Sequence, residues 1–243
     1  MNNPITVGMP QLSYNGLDLI WLSKEMGSRH WMSLGPIKNS FDQGQRLYAS
    51  FFYTNVRFIN GHNQASVKED DSLDVGHTLY KFNRQIYRST NNIIVNNHLI
   101  AQGIVDSIFV RKTNEQNQLV KADPEELDIP VTNEISLAKH KSLKTSLSTV
   151  PTEPGVLIPF APEFYFNGAK ILYCSNYLNL VGLSEFLTFQ QVQAPIKQVE
   201  TYYFSNIGPT DRVYGYSKQI NNVFTTTLYK NNHSVMCHSV ITR

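Results

Sequence analysis

The chain is poor in cysteine, carries almost no excess of charge of either sign and contains no long apolar run, and each shortage removes a class of protein. Its two cysteines, Cys174 and Cys237, stand in apolar surroundings with no histidine at a metal-ligand spacing. That leaves neither a disulfide framework nor a metal motif, and both are expected as buried free thiols. The formal charge is +2, from 21 Lys and Arg against 19 Asp and Glu. No Lys/Arg run is interleaved with aromatics, so the electrostatic footprint of a nucleic-acid binder is missing. No apolar stretch approaches the roughly 20 residues that a spanning helix needs, and the sequence does not begin with a basic-then-apolar signal; a cytoplasmic protein without membrane contact is expected.

What is present is a composition of 41% hydrophobic and 16% charged residues over 243 positions, enough to bury a large core. Within it one stretch is written twice. Met9-Pro10-Gln11-Leu12-Ser13-Tyr14-Asn15-Gly16-Leu17-Asp18-Leu19-Ile20-Trp21 aligns without a gap to residues 161–173, from Ala161-Pro162-Glu163 through Asn167-Gly168 to Ile171-Leu172-Tyr173, 152 positions on (15 to 167). Two further landmarks recur in the same order: Asp71-Ser72-Leu73 with Asp211-Arg212-Val213, and Asn96-Asn97-His98 with Asn231-Asn232-His233. A duplicated unit is the economical explanation.

In the first unit the turn pair Asn15-Gly16 predicts a helix from Leu17, with Asp18 favourable at its positive end and Gly27 as its stop. Leu19 and Leu22 fall off its apolar stripe, which suggests a helix wrapped by a sheet rather than laid on a surface. Strands are expected over 46–58, 72–82, 84–95 and 98–111, with a tight hairpin at Asn96-Asn97. The second unit repeats the order: Asn167-Gly168, a helix from Ala169 to near Val181, then strands over 196–208, 211–221, 223–230 and 234–242. A central helix followed by an antiparallel run of strands is an α+β arrangement in which the sheet wraps the helix, the hotdog architecture. The expected fold is a tandem double hotdog: an N-terminal hotdog over 1–111, a polar linker over 112–155 and a C-terminal hotdog over 156–243. The pair forms internally, so a monomer is expected. The small basic group Lys139, His140, Lys141 and Lys144 is read as a solvated part of the linker.

The stretch Phe166-Asn167-Gly168-Ala169 with Ile171-Leu172-Tyr173 and Tyr177, the Gly8-Met9 pair, and Tyr48-Ala49-Ser50-Phe51-Phe52-Tyr53 with Val56-Arg57 resemble the leinamycin-type bifunctional acyltransferase/decarboxylase family of polyketide biosynthesis. The resemblance covers most of both units and not the linker. It implies loading of an acyl group from (methyl)malonyl-CoA onto a tyrosine, transfer to the phosphopantetheine thiol of an acyl carrier protein, and decarboxylation to the propionyl thioester. It implies no cofactor beyond the CoA thioester substrate and the carrier's phosphopantetheine, and no metal.

On the spacing from Gly8-Met9, the resemblance assigns the nucleophile to Tyr48, with Tyr53 as the runner-up. Strand alternation places Tyr48 with Arg46, Ser50 and Phe52, and Tyr53 on the opposite face with Leu47, Ala49 and Phe51. A phenol needs activation near neutral pH, and Arg46 is the cation on the face of Tyr48. The chemistry also needs donors for an oxyanion or enolate, expected at helix starts opened by Asn167 and Gly168 and by Asn15 and Gly16, with Tyr173 beside the substrate. Alternatives from other classes are a hotdog acyl-CoA or acyl-carrier-protein thioesterase, for which Asp18 and Glu163 are the available carboxylates, and a non-catalytic carrier-protein-binding hotdog.

Overall fold

The computed structural model describes residues 4–35, 37, 40–42, 44–112, 119–125, 127–133, 136–149, 155–167, 171–231 and 234–243. The first half runs β1 (Ile5–Thr6), β2 (Leu12–Ser13), β3 (Gly16–Leu17), α1 (Leu19–Ser33), β4 (Phe41–Asp42), β5 (Gln45–Phe58), β6 (Ser72–Lys81), β7 (Ile86–Val95) and β8 (His98–Lys112). A connecting region holds β9 (Leu119–Lys121) and α2 (Leu137–Ser146). The second half runs β10 (Val156–Ile158), α3 (Pro162–Tyr165), α4 (Cys174–Phe189), β11 (Gln198–Tyr203), β12 (Val213–Ile220), β13 (Val223–Lys230) and β14 (Val235–Thr242).

Among the described residues, all strands except β2 and β3 join one 12-stranded sheet whose main path is β1-β6-β7-β8-β5-β11-β14-β13-β12-β10. Its centre is the antiparallel pair β5 and β11, where Tyr53 stands opposite Tyr202 and Val56 opposite Val199. Each half of the sheet curls around its own helix. Leu22 and Met26 of α1 and Leu180 and Val181 of α4 are buried in one continuous core with Val56, Val75, Val105, Val199 and Leu228, each such side chain worth about 1.5–3 kcal/mol of burial. This is the tandem double hotdog expected from the repeat.

The repeat is legible atom by atom. Asp71 accepts from the Lys68 amide and Asp211 from the Gly208 amide, both at 2.7 Å through Oδ2. The Asn96 amide donates to the Ser72 carbonyl just as the Asn231 amide donates to the Arg212 carbonyl. Asn96 and Asn97 both take positive φ, 49° and 66°, the backbone of the tight hairpin their side chains tolerate. Asn232 and His233 lie outside the described residues.

Several local expectations need correction. α1 does not stop at Gly27 but continues to Ser33; a Cβ at Gly27 would stand 3.1 Å from the Phe51 ring, so the glycine serves packing rather than termination. α4 starts at Cys174, not Ala169. Between Phe51 and Tyr53 the β5/β8 register shifts, and this bulge at Phe52 overrides simple alternation. Phe52 and Tyr53 therefore share one cluster with Ile86 and Tyr202, while Leu47 and Ala49 pack with Leu34 and Trp31 on the other side.

The connecting region is not a merely solvated linker. Leu137 and Leu143 of α2 pack on the Phe52, Tyr53 and Tyr202 cluster, over the face of the β5/β11 seam turned away from α1. Lys139 bridges Glu200 at 2.8 Å and lies 5.2 Å from the Tyr202 ring centre. His140 approaches the Phe52 and Phe204 rings and bonds the Tyr203 carbonyl oxygen at 2.7 Å. Two members of the basic group thus pin the strap to the seam.

Candidate functional site

The two helices meet along the joint between the halves, and each helix start faces the middle of the other helix. A shift of 155 positions relates them: the residue before α1, Asp18, corresponds to Tyr173 before α4, Gly27 to Gly182, and His30 to Glu185. Two related corners follow, and their chemistry differs.

At the start of α1, the Asp18 carboxylate accepts from the Ile20 amide at 2.8 Å, a side-chain N-cap that also sits at the positive end of the helix dipole. A cleft of about 160 Å³ opens beside it, walled by Asp18, Leu19, Ile20, Val181, Gly182 and Glu185 among others, with Gln64, Ile241 and Arg243. Nothing lies within 4 Å of where a Cβ on Gly182 would stand. Gln64 ties the halves together here, donating to the Leu17 carbonyl at 2.7 Å and accepting from the Ile196 amide at 3.4 Å. Glu185 is 2% exposed. Its Oε2 takes a 2.5 Å hydrogen bond from Arg243 Nη2. Burial pushes its carboxyl above the ordinary range, with Arg243 and the Thr226 hydroxyl opposing the rise.

At the start of α4 the side chain of Tyr173, the residue before the helix, makes no capping bond, and the corresponding space is filled. The Tyr173 hydroxyl and the Phe51 ring press on Gly27, at 3.6 and 3.1 Å from a Cβ built there. Burial first, then Cys174 and Glu25, push the Tyr173 phenol up to about 12, away from the phenolate. Enclosure likewise pushes the Cys174 thiol up to about 12. Behind this plug His30 is fully buried between two hydroxyls, Ser89 at 2.8 Å on Nδ1 and Ser107 at 2.7 Å on Nε2. Desolvation and then His77 drive its pKa to about 3, so the ring is neutral, donating through one nitrogen and accepting through the other.

The residues singled out in the sequence are scattered over this frame. Tyr48 is half-buried opposite Val110, on the sheet face away from α1. Arg46 is exposed and pairs with Phe41 on β4. Tyr53 is buried against Tyr202, ring centres 4.9 Å apart, and burial followed by Glu200 raises its phenol pKa. Asn15 lies in the turn of the β2/β3 hairpin and Gly16 opens β3, so neither is the helix start, and the Asn15 side-chain amide donates to the Gln193 carbonyl at 3.2 Å. Asn167 closes the analogous turn, its Oδ1 accepting from the Ile171 amide at 3.2 Å, seven positions before α4 begins; Gly168 lies outside the described residues. Of the two carboxylates weighed, Asp18 reaches the cleft and Glu163 is exposed on α3. Glu185, Arg243 and Gln64 were missed. Glu185 had left a signal, a carboxylate on the apolar stripe Tyr177, Leu178, Val181, where a charge has no business unless it is paired.

No family model matches the chain and no curated protein sequence matches it. Solved structures do. An acyl-ACP thioesterase from Bacteroides thetaiotaomicron superposes with a TM-score of 0.67 at 10% identity, covering 98% of this chain and 95% of that one. A 12:0-ACP thioesterase from Umbellularia californica gives 0.68 at 8% identity, covering 98% and 95%. HtdX from Mycobacterium tuberculosis gives 0.60 at 9% identity, covering 99% and 98%. At such identities the likeness is one of fold, and it extends over the whole length: the chain is a double hotdog.

Proposed function

We propose that the protein is an acyl-thioester enzyme that works in the cleft at the joint, with Asp18 as its base. The observation that carries this reading is an apolar cleft with a carboxylate-capped helix start on its wall, in a fold shared with acyl-ACP thioesterases. The acyl group lies against Leu19, Ile20, Val181 and Val199 with the thioester carbonyl toward the first turn of α1. There the helix dipole favours the oxyanion that forms. Asp18, oriented by its bond to the Ile20 amide, takes a proton from water as the water oxygen bonds the carbonyl carbon. The C–S bond then breaks, and the thiolate leaves and is protonated. The substrates are acyl-CoA or acyl carrier protein.

Asp18→Asn tests this cleanly, because asparagine caps a helix as well as aspartate does and cannot act as a base. Thiol release from a panel of acyl-CoAs is expected to fall at least about a hundredfold while the thermal midpoint holds. Full activity in Asp18→Asn would remove the aspartate from the mechanism.

The sequence resemblance supports a finer reading: acyl transfer from (methyl)malonyl-CoA through an acyl-tyrosine to a polyketide acyl carrier protein, with decarboxylation. In it Tyr48 is the nucleophile. Tyr173 is the phenol whose hydroxyl lies in the joint itself. Intact-protein mass spectrometry after exposure to methylmalonyl-CoA distinguishes the two. Acyl mass that disappears in Tyr48→Phe supports the resemblance, mass that disappears in Tyr173→Phe moves the nucleophile to the joint, and propionyl carrier protein formed by a never-acylated enzyme excludes the covalent route.

A further inference from the structure

We propose that the turn at Asn60-Gly61 is a site of spontaneous covalent modification, where the asparagine amide is lost through a cyclic imide and the main chain, lengthened as isoaspartate, lets go of Gln64. Asn-Gly stands at 15–16, 60–61 and 167–168. Glycine, lacking a Cβ, leaves its nitrogen open to the side-chain carbonyl carbon of the residue before it. Gly168 lies outside the described residues, and the other two pairs differ in what holds them.

Ile59-Asn60-Gly61-His62 is a tight turn closed by the His62 amide, which donates to the Ile59 carbonyl at 3.0 Å. Its central residues have φ of 54° and 78°, the signs of a type I′ turn. Both are exposed, and nothing lies within 4 Å of where a Cβ on Gly61 would stand. Among the described residues the Asn60 side chain and the Gly61 N–H make no hydrogen bond. Asn15-Gly16 is held instead: the Asn15 side-chain amide is given to the Gln193 carbonyl at 3.2 Å, and a Cβ on Gly16 would stand 2.2 Å from the Gln64 carbonyl oxygen. There the leaving nitrogen is tethered and the glycine is packed on backbone.

In the reaction the Gly61 nitrogen gives its proton to hydroxide and bonds Asn60 Cγ. The bond from Cγ to the side-chain nitrogen breaks, and that nitrogen takes a proton from water and leaves as ammonia. Water then opens the imide at either carbonyl, giving aspartate or isoaspartate. The position of the turn gives this a structural effect, because the loop is anchored at both ends to adjoining residues of the second half: the Phe58 amide to the Lys197 carbonyl at 2.8 Å and the Gln64 amide to the Ile196 carbonyl at 2.9 Å. Isoaspartate inserts a methylene into the main chain between these anchors. Phe58 is fixed within β5, whereas Gln64 lies outside the strands, so the Gln64 anchor yields.

The protein is aged in mildly alkaline buffer, folded and in guanidinium chloride, and mapped by peptide mass spectrometry with electron-transfer fragmentation, which separates isoaspartate from aspartate. In the folded protein acid is expected to accumulate at position 60 while Asn15 keeps its amide; in denaturant the two convert alike. An Asn60 that survives in the folded protein but converts in denaturant, or an Asn15 that keeps pace with Asn60 in the fold, would overturn the proposal. Hydrogen exchange on the isoaspartate fraction is expected to show loss of protection at the Gln64 amide with Phe58 still protected. Freshly prepared Asn60→Asp, with the same charge on an unlengthened main chain, should keep both. Unchanged protection at Gln64 in the isoaspartate form, or equal loss in Asn60→Asp, would remove the effect on the joint. Neither readout depends on the reaction proposed for the cleft.

Discussion

Gly16 has φ +105°, and a Cβ there would stand 2.2 Å from the Gln64 carbonyl oxygen. Both facts exclude a side chain: the first through backbone strain, the second through collision with backbone that cannot swing aside. Gly16→Ala is expected to cost about 2 kcal/mol or more, read as a lower urea midpoint at unchanged slope; a neutral result would mean that the Gln64 segment moves. His30 gives the other test at this scale. Its pKa lies near 3 in the fold against about 6.5 unfolded. With a lowered folded value the unfolded chain binds the proton first, so the contribution is complete above about pH 6.5 and is lost as pH falls below it. Between pH 7 and pH 5 about 2 kcal/mol of stability should disappear. His77, His140 and His238, whose pKa values burial also lowers, act in the same direction. His30→Gln, which keeps an amide between Ser89 and Ser107, should flatten the urea stability profile over that range; an unchanged profile would mean that His30 is not buried and neutral.

At the scale of elements, α2 shows what composition hides. Its residues read as solvated because the sequence there is polar and basic, yet Leu137 and Leu143 pack on the seam, Lys139 is anchored by Glu200 and His140 by aromatic faces, and Lys141 and Lys144 stay exposed. Leu143→Ser is expected to destabilise by about 1–2 kcal/mol, and amide exchange should then rise in β5 and β11 as well as in α2; protection lost in α2 alone would mean that the strap does not support the seam. The two helix starts carry the complementary lesson. The Asn-Gly pairs announce both, but Asn15-Gly16 belongs to the β2/β3 hairpin and Asn167 stands seven positions before α4, and the residues that meet the helices are Asp18 and Tyr173. The offset of 152 that aligns the turns becomes 155 at the helices, and those three positions turn an apparent Asp18/Lys170 match into Asp18/Tyr173. One corner keeps a carboxylate and a cleft; the other is filled by a phenol.

At the scale of the molecule, the β5/β11 pairing makes one sheet of two halves, and the helices share one core across it. Cooperative unfolding follows from that continuity: calorimetry should show one transition whose van't Hoff and calorimetric enthalpies agree. Two resolved transitions would show the halves to be independent.

The sequence by itself pointed to the duplication, the central helix and long strands of each half and the double-hotdog architecture, because binary patterning, Asn-Gly and Asn-Asn turns and aspartate caps act over a few residues and leave their mark in order. Asp18 was visible as a helix-dipole residue for the same reason. Only the tertiary structure decided which face a tyrosine takes, because the bulge at Phe52 is specified by cross-strand packing and reverses the alternation that placed Tyr53 with Leu47. It alone also brought Glu185 and Arg243, 58 residues apart, to the α1 start 166 and 224 positions earlier. Sequence spacing carries no information about contacts at that range; they exist because the antiparallel seam lays one helix start against the middle of the other.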